Sequence, residues 1–578
     1  MLTDRTPAAI VLATVVATVV VIAPSAFSPF SMPKAVVLAV GAALAMAAAV
    51  AVELDHGSIR VPSGALPAVA AAHAVILIVA NAASQTPMLS LLGSQGRAVG
   101  AVAHVAGVAI FVLVLRHADA AWMQRGAAVL AAAVGVVAAV AALQWAGLDL
   151  TGTADAIRTT AEAVAGDPDV VGRVTASLLG NPNQVAAVVA IGLPLVVGLA
   201  ALTRDWARWA WVALAVLLVV AIAAADAVQG PVAGAAGLGV LAVTVARSRH
   251  DRWRTLLPTA AAVLATLSAA VVVAGIAGQG PVAGLADQES TRLRTVYWGA
   301  AVEMAVDHPV LGVGPDRYQE WFRVHRDADD ARTQPLGKQP DAAHNVVLHL
   351  AATGGLGAGL TFLAVMIGGA MVVVRRWRAP PGSPPWLFGG VAGAWVAYQV
   401  QALVSLDTAP LIALHWWLLG ALVVTSGMGR IRTIAVPGGP RPRLAGAVLT
   451  AVAVATLVLA SRPVRADLVA GRALTSTVAA EAAADLRAAA DLAPWEPEYP
   501  FRLAVVESSR SLDAAYGALR LAEERDPRRI DVLVSLARTA ADLGRQDEAV
   551  DWYRRALEVE PHHPDLIAEA APFGVGPG

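Results

Sequence analysis

Long apolar runs set the strongest limit on what this chain can fold into. About 13 stretches are long enough, at 1.5 Å per residue in a helix, to cross about 30 Å of hydrocarbon. Charged residues make up only 15 % of the 578 residues, too few for a soluble protein of this size. The sequence therefore predicts an all-α, polytopic transmembrane bundle of about 12–13 helices. The runs lie near residues 7–27, 34–53, 64–83, 97–116, 126–146, 185–203, 206–225, 230–247, 255–279, 346–374, 386–406, 409–427 and 443–462.

Net charge and cysteine content exclude several classes of function. The formal net charge is −1, so no basic excess is present to neutralise the phosphates of a nucleic acid. The chain has no cysteine, which excludes disulfides, thiolate nucleophiles and cysteine-ligated metals. The first apolar run lacks a convincing signal-peptidase site, and we interpret it as a retained span.

The distribution of arginine predicts the orientation of the spans. Alternate connections, counted from the N-terminus, are rich in arginine, for example at Arg60 and Arg375, whereas the short connections between them contain only Lys34 and Arg97. Because cytoplasmic loops carry the positive excess, we expect a protein of the cell (inner) membrane with a cytoplasmic N-terminus. An odd number of spans places the C-terminus outside. Two long connections also fall on the outer side, at residues 147–184 and 280–345.

The composition changes after residue 462, which predicts a membrane domain, 1–462, and a C-terminal helical domain, 463–578. Pro494, Pro527 and Pro561 follow one another at intervals of 33 and 34 residues. This period resembles tetratricopeptide repeats, in which small residues allow close helix packing; a plain helical bundle is the alternative. Small residues precede each proline at matching offsets: Ala482 and Ala489, Ala515 and Ala522, Ala549 and Ala556.

Three polar segments of the predicted outer face are candidates for chemistry. The first, Asn181-Pro-Asn183-Gln, precedes a span and follows Arg173. Its amides are suited to capping the helix or to binding sugar hydroxyls, and taken alone the segment favours capping.

The second segment lies in the large outer loop. It begins with Arg292-Leu-Arg294, continues through a short helix predicted from Trp298 to Asp307, and ends in a glycine-rich turn before Arg317. The glycines of this turn are explained by positive φ angles alone. The arginines lie beside the membrane, where a guanidinium can hold a diphosphate with paired hydrogen bonds.

The third segment is His344-Asn345, at the start of a long apolar run that reaches Gly355 and continues to Arg375. A lone histidine at a membrane interface is more often a helix cap or an interfacial ring than a catalyst. Here all three segments fall on the same predicted side, which favours a shared site.

Together these segments resemble the O-antigen ligase family, which also includes O-antigen polymerases and protein O-oligosaccharyltransferases. The resemblance covers roughly residues 30–425 and includes the late motif Trp416-Trp417-Leu-Leu-Gly420. The chain departs from the family pattern at Gln229, where many members have an arginine, and at Thr353, near which an acidic residue is common.

The resemblance implies transfer of a glycan from an undecaprenyl-diphosphate lipid to an acceptor hydroxyl on the outer face, without metal or other cofactor. His344 is then expected to accept the proton of the acceptor hydroxyl or to orient that hydroxyl, and Arg294 to stabilise charge on the departing diphosphate. The remaining residues expected to bind substrate are Arg173, Asn181, Asn183, Arg292, Arg317 and Asn345.

The resemblance allows three kinds of acceptor: a lipid, a glycan or a protein. A polymerase, whose acceptor is another lipid-linked glycan, uses the same chemistry. A transporter predicts charged or broken helices at mid-membrane depth, whereas these spans are nearly free of internal charge and the polar segments collect at the predicted outer face. A scaffold leaves the three segments unexplained. The C-terminal repeats are expected to recruit an acceptor or a partner protein without taking part in bond making; the alternative is a cap on the last span.

Overall fold

Helices make up nearly all of the regular structure. The computed structural model describes residues 3–153, 175–248, 288–332, 336, 339–379, 385–436 and 440–576. The helices of the predicted membrane domain are α1 Thr6–Val20, α2 Ser31–Asp55, α3 Ala65–Ala82, α4 Pro87–Leu92, α5 Ala101–His117, α6 Ala120–Trp145, α7 Pro182–Leu202, α8 Ala207–Ala224, α9 Gln229–Ser248, α10 Gln288–Asp307, α11 Tyr318–His325, α12 Ala328–Ala331, α13 Val346–Arg378, α14 Pro385–Ala402 and α15 Ala409–Ser426. The helices that follow are α16 Pro440–Thr475, α17 Ala479–Leu492, α18 Glu498–Ser508, α19 Leu512–Arg525, α20 Ile530–Asp542, α21 Gln546–Val559 and α22 Pro564–Ala570, before a short 3-10 turn, Ala571–Phe573.

Nine of the described helices are long and apolar enough to cross a membrane: α2, α3, α6, α7, α8, α9, α13, α15 and α16. Helices α1 and α5 are apolar but shorter. With α14 added, each predicted span in the described part of the chain coincides with a helix, and the predicted span 255–279 lies outside it. The prediction of an all-α, polytopic membrane bundle is confirmed.

Small residues allow the membrane helices to approach closely. Helix α7 is buried along most of its length, with α6, α8, α9 and α14 packed around it. A Cβ on Gly237 of α9 would stand 2.6 Å from the carbonyl oxygen of Gly393 in α14, so only glycine fits at this crossing.

A two-stranded antiparallel sheet joins two distant connections. Strand β1, Ser58–Pro62, pairs with β2, Ile431–Ala435. Arg60 and Arg432 are on these strands, so the sheet brings together two connections that the arginine distribution assigns to one side.

The C-terminal helices pack in sequence, each against the next. Helix α16 runs without interruption through Pro463, so the predicted domain boundary lies inside one continuous helix. Pro494, Pro527 and Pro561 stand in the connections after α17, α19 and α21. The alanines of the repeat pattern are buried, which gives the close packing that their spacing predicts.

Buried ion pairs attach the C-terminal helices to the large loop that precedes His344, which the sequence predicts to be outside. Arg317 Nη2 lies 2.6 Å from Asp526 Oδ2, with both side chains 4 % exposed. One carboxylate, Glu560, serves both Arg323, at 2.8 Å, and Arg326. The C-terminal helices therefore lie at the same end of the bundle as the loop that precedes His344.

Candidate functional site

His344 stands two residues before α13, with a φ of +53° that residues other than glycine rarely adopt. Its Nδ1 lies 3.0 Å from the carbonyl oxygen of Ala342. Because a carbonyl only accepts hydrogen bonds, Nδ1 carries the hydrogen and Nε2 keeps its lone pair. The backbone therefore holds the ring in the tautomer in which Nε2 can take a proton.

The surroundings of His344 favour its neutral form. Its ring packs against Tyr297 of α10, with the ring centroids 5.5 Å apart. Burial lowers the pKa of His344 below its usual 6.5, the nearby charges of Arg294 and Arg97 lower it further, and Asp341 and the backbone hydrogen bond act in the opposite direction. An imidazole that is neutral at pH 7 is suited to act as a base.

Helix α10 separates the two arginines of the second segment. The helix begins ten residues before the predicted start. Arg294 and Tyr297 are three residues apart and share the face near the histidine, whereas Arg292 is two residues from Arg294 and points elsewhere. Arg292 is 51 % exposed, and its Nη1 lies 3.3 Å from Asp330 Oδ1. The structure thus brings Arg294 close to His344, and it pairs Arg292 with an acidic side chain of the loop.

The glycine-rich turn after α10 docks on a kink in α13. Gly355 adopts φ +79° inside the helix, and the Leu356 amide donates to the carbonyl oxygen of Pro309 at 2.9 Å. A Cβ on Gly312 would stand 2.6 Å from the carbonyl oxygen of Ala352, so the turn needs glycine for close approach as well as for its positive φ. The second and third segments form one structural unit.

Asn345 caps α13 and ties it to a neighbouring helix. Its Oδ1 accepts from the Leu348 amide at 3.1 Å, and its Nδ2 donates to the carbonyl oxygen of Leu403 at 3.0 Å. Both bonds fix the chain immediately after His344. Helix capping and the contact with the end of α14 therefore explain why an asparagine suits this position.

The first segment also forms a helix cap. Asn181 Oδ1 accepts from the Asn183 amide at 2.8 Å at the start of α7. Gln229 donates to the carbonyl oxygen of Asn183 at 2.9 Å. The structure places these three residues together, and Arg173 lies outside the described residues.

Arg317 lies among acidic side chains. It is 3 % exposed and paired with Asp526, and Glu320 lies 3.2 Å from the same Nη2. These acids hold the pKa of the Arg317 guanidinium above its usual value although burial opposes this. A diphosphate would have to displace both carboxylates, so we interpret Arg317 as a structural residue.

Sequence reasoning missed two polar residues beside His344. Arg97 is 6 % exposed, with Nε 2.7 Å from Asp316 Oδ1. Asp407 lines the same small cavity as His344, accepts from Tyr398 Oη at 2.8 Å, and has its pKa raised to about 7 by burial. Each carried a signal: Arg97 is one of two cations in the short outer connections, and Asp407 is the single acid between two late spans.

The fold and this site define a multi-pass membrane protein with a neutral histidine and an arginine at one polar end of its bundle. A family model described as O-antigen ligase matches residues 183–363, which run from the start of α7 into α13 and include both Arg294 and His344. No curated protein matches the chain. At the level of the family, the match supports a membrane glycan ligase or polymerase.

Proposed function

We propose that this protein transfers a glycan from an undecaprenyl-diphosphate lipid to an acceptor hydroxyl at the outer face of the cell membrane. The observation that carries the proposal is the geometry of His344, whose Nδ1 is bound to a backbone carbonyl and whose Nε2 is available as a base. The family match over residues 183–363 supplies the substrate class.

The reaction needs one base and one anion-stabilising group. The acceptor oxygen attacks the anomeric carbon of the donor sugar while its proton passes to Nε2 of His344. The bond between that carbon and the diphosphate oxygen breaks, and the bonding electrons leave with the diphosphate. Arg294 stabilises the resulting charge with paired hydrogen bonds. The proton on His344 then returns to solvent or to the released diphosphate.

The other predicted residues take secondary roles in this proposal. Asn345 fixes the backbone beside the base, and Asn181 and Asn183 shape the start of α7. Arg292 lies on the exposed side of α10, where its guanidinium can attract the donor from the membrane surface. Arg173, in the same outer connection as the asparagines, is proposed as a second contact to the diphosphate.

Deletion of the gene tests the proposal and separates ligase from polymerase. We expect long lipid-linked glycan to accumulate if the protein is a ligase, and single lipid-linked repeat units if it is a polymerase. Complementation with His344→Ala should leave the same lipid in place while the protein is expressed and folded at wild-type levels. Normal surface polysaccharide in the deletion strain, or full complementation by His344→Ala, would refute the proposal.

A further inference from the structure

A polar cleft lies between the membrane bundle and the C-terminal helices. Its volume is about 450 Å³, within the range of about 300–1,000 Å³ that is usual for ligand sites. The polar cleft is lined, among others, by Ser94, Arg97, Gln319, Glu320, Glu496 and Arg528. These residues come from the connection before α5, from the outer loop and from the C-terminal helices.

The charges of the polar cleft favour a neutral ligand. Five arginines and six acidic residues line it, so it has no positive excess to attract a phosphate. Several of these groups already hold one another: Arg529 lies 2.6 Å from Glu498 and 2.9 Å from Asp531. The result is a wall of fixed donors and acceptors, which suits a ligand rich in hydroxyl groups. A lipid tail would leave these groups unsatisfied.

One buried acid of the polar cleft adds a donor. Burial raises the pKa of Glu496 to about 8, so this carboxyl is mostly protonated at pH 7. A protonated carboxyl both donates and accepts, as a sugar hydroxyl does. Glu320 is instead ion-paired with Arg317, at 3.2 Å, and belongs to the fixed wall of the cleft.

The polar cleft lies beside the candidate site. Arg97 lines the cleft and also the small cavity that contains His344. Asp341, three residues before His344, lines the cleft as well. A chain held there therefore has one end near the base.

We propose that the polar cleft binds the sugar residues of a glycan substrate whose reacting end lies at His344, with the C-terminal helices supplying one wall. This inference rests on the proposed function, and it gives the C-terminal helices a part in substrate binding. The glycan belongs either to the lipid-linked donor or to the acceptor, and the two have the same chemistry.

Gln319→Trp tests the inference, because the indole fills space in the cleft, and Gln319→Ala removes a hydrogen-bonding group without adding bulk. Val324→Trp is the matched control, since Val324 is on the same helix, is 38 % exposed and does not line the cleft. The probe is the oligosaccharide released by mild acid from the lipid-linked glycan of the same cells, titrated into the purified full-length protein. Transfer is measured in parallel in two series. The first compares donors of one and of several repeat units, and the second compares acceptors of one and of several repeat units.

We expect Gln319→Trp to weaken oligosaccharide binding about tenfold and Gln319→Ala about threefold, with Val324→Trp at the wild-type value. The KM for a glycan of several repeat units, divided by the KM for a glycan of one unit, should rise about tenfold in Gln319→Trp and about threefold in Gln319→Ala. If the rise occurs when the donor length is varied, the cleft binds the donor glycan, and if it occurs when the acceptor length is varied, the cleft binds the acceptor. Wild-type binding and KM ratios in both Gln319 variants would overturn the inference. Retained transfer by His344→Ala would instead refute the proposed function, whatever the Gln319 variants show.

Discussion

Glu560→Gln is the sharpest test of how the C-terminal helices support the outer loop. The carboxylate is fully buried and is shared by Arg323 and Arg326, which are 1 % and 0 % exposed. The glutamine retains one acceptor oxygen and loses the charge, which leaves two buried guanidinium groups without a counterion. Breaking a buried pair in this way costs about 3–5 kcal/mol, a large part of the roughly 5–15 kcal/mol that stabilises a typical domain.

The matched control is Glu558→Gln, which removes the same charge two residues earlier from an exposed position. We expect thermal unfolding of the purified protein to show a large loss for Glu560→Gln and a change within about 0.5 kcal/mol for Glu558→Gln. Hydrogen exchange should also become faster in α11 of the first variant alone. Equal stability and equal exchange in the two variants would show that the paired arginines do not depend on this carboxylate.

Two further substitutions and one pH profile address the site and its surroundings. Arg294→Lys keeps the charge and loses the bidentate fork, so we expect kcat/KM to fall about tenfold or more in a transfer assay. Because the pKa of His344 is lowered, the acid limb of the pH profile of kcat/KM should have its midpoint below 6.5. The pKa of Glu496 is raised to about 8, so its contribution to stability is complete below its unfolded value near 4.5 and is lost as the pH rises through 8. Glu496→Gln should therefore raise the melting temperature relative to wild type at pH 9 and leave it unchanged at pH 4.

The membrane spans were predictable because the bilayer fixes both their length and their composition. A helix that crosses hydrocarbon must be apolar over about 20 residues, and this requirement is visible without any knowledge of packing. The sequence predicted only part of the docking of the glycine-rich turn on the kink at Gly355. Sequence indicated that Gly312 requires a special conformation, but it did not show which backbone approaches that glycine.

The partners of the arginines were not predictable for a physical reason. Asp526 is 209 residues from Arg317 in sequence, and only the fold of the C-terminal helices brings the two together. A loop arginine near a membrane has the same local pattern whether it meets a phosphate or a carboxylate. Helical spacing did contain the information that Arg292 and Arg294 face different directions, once α10 is known to include both.

The buried contacts also change what truncation after residue 463 is expected to do. If the C-terminal helices only recruited an acceptor, the shortened protein would still transfer glycan to a generic hydroxyl. In the structure, their removal takes Asp526 from Arg317, which keeps Glu320, takes Glu560 from Arg323, and cuts α16 inside a continuous helix. The loop then loses the ion pairs that hold Arg317 and Arg323 in place, and Asp316, beside Arg317, is bonded to Arg97 next to His344. We therefore expect transfer to every acceptor to fail, together with faster hydrogen exchange in α11. Normal transfer to a generic acceptor by the truncated protein would show that the loop holds its conformation alone and that the C-terminal helices act only in recruitment.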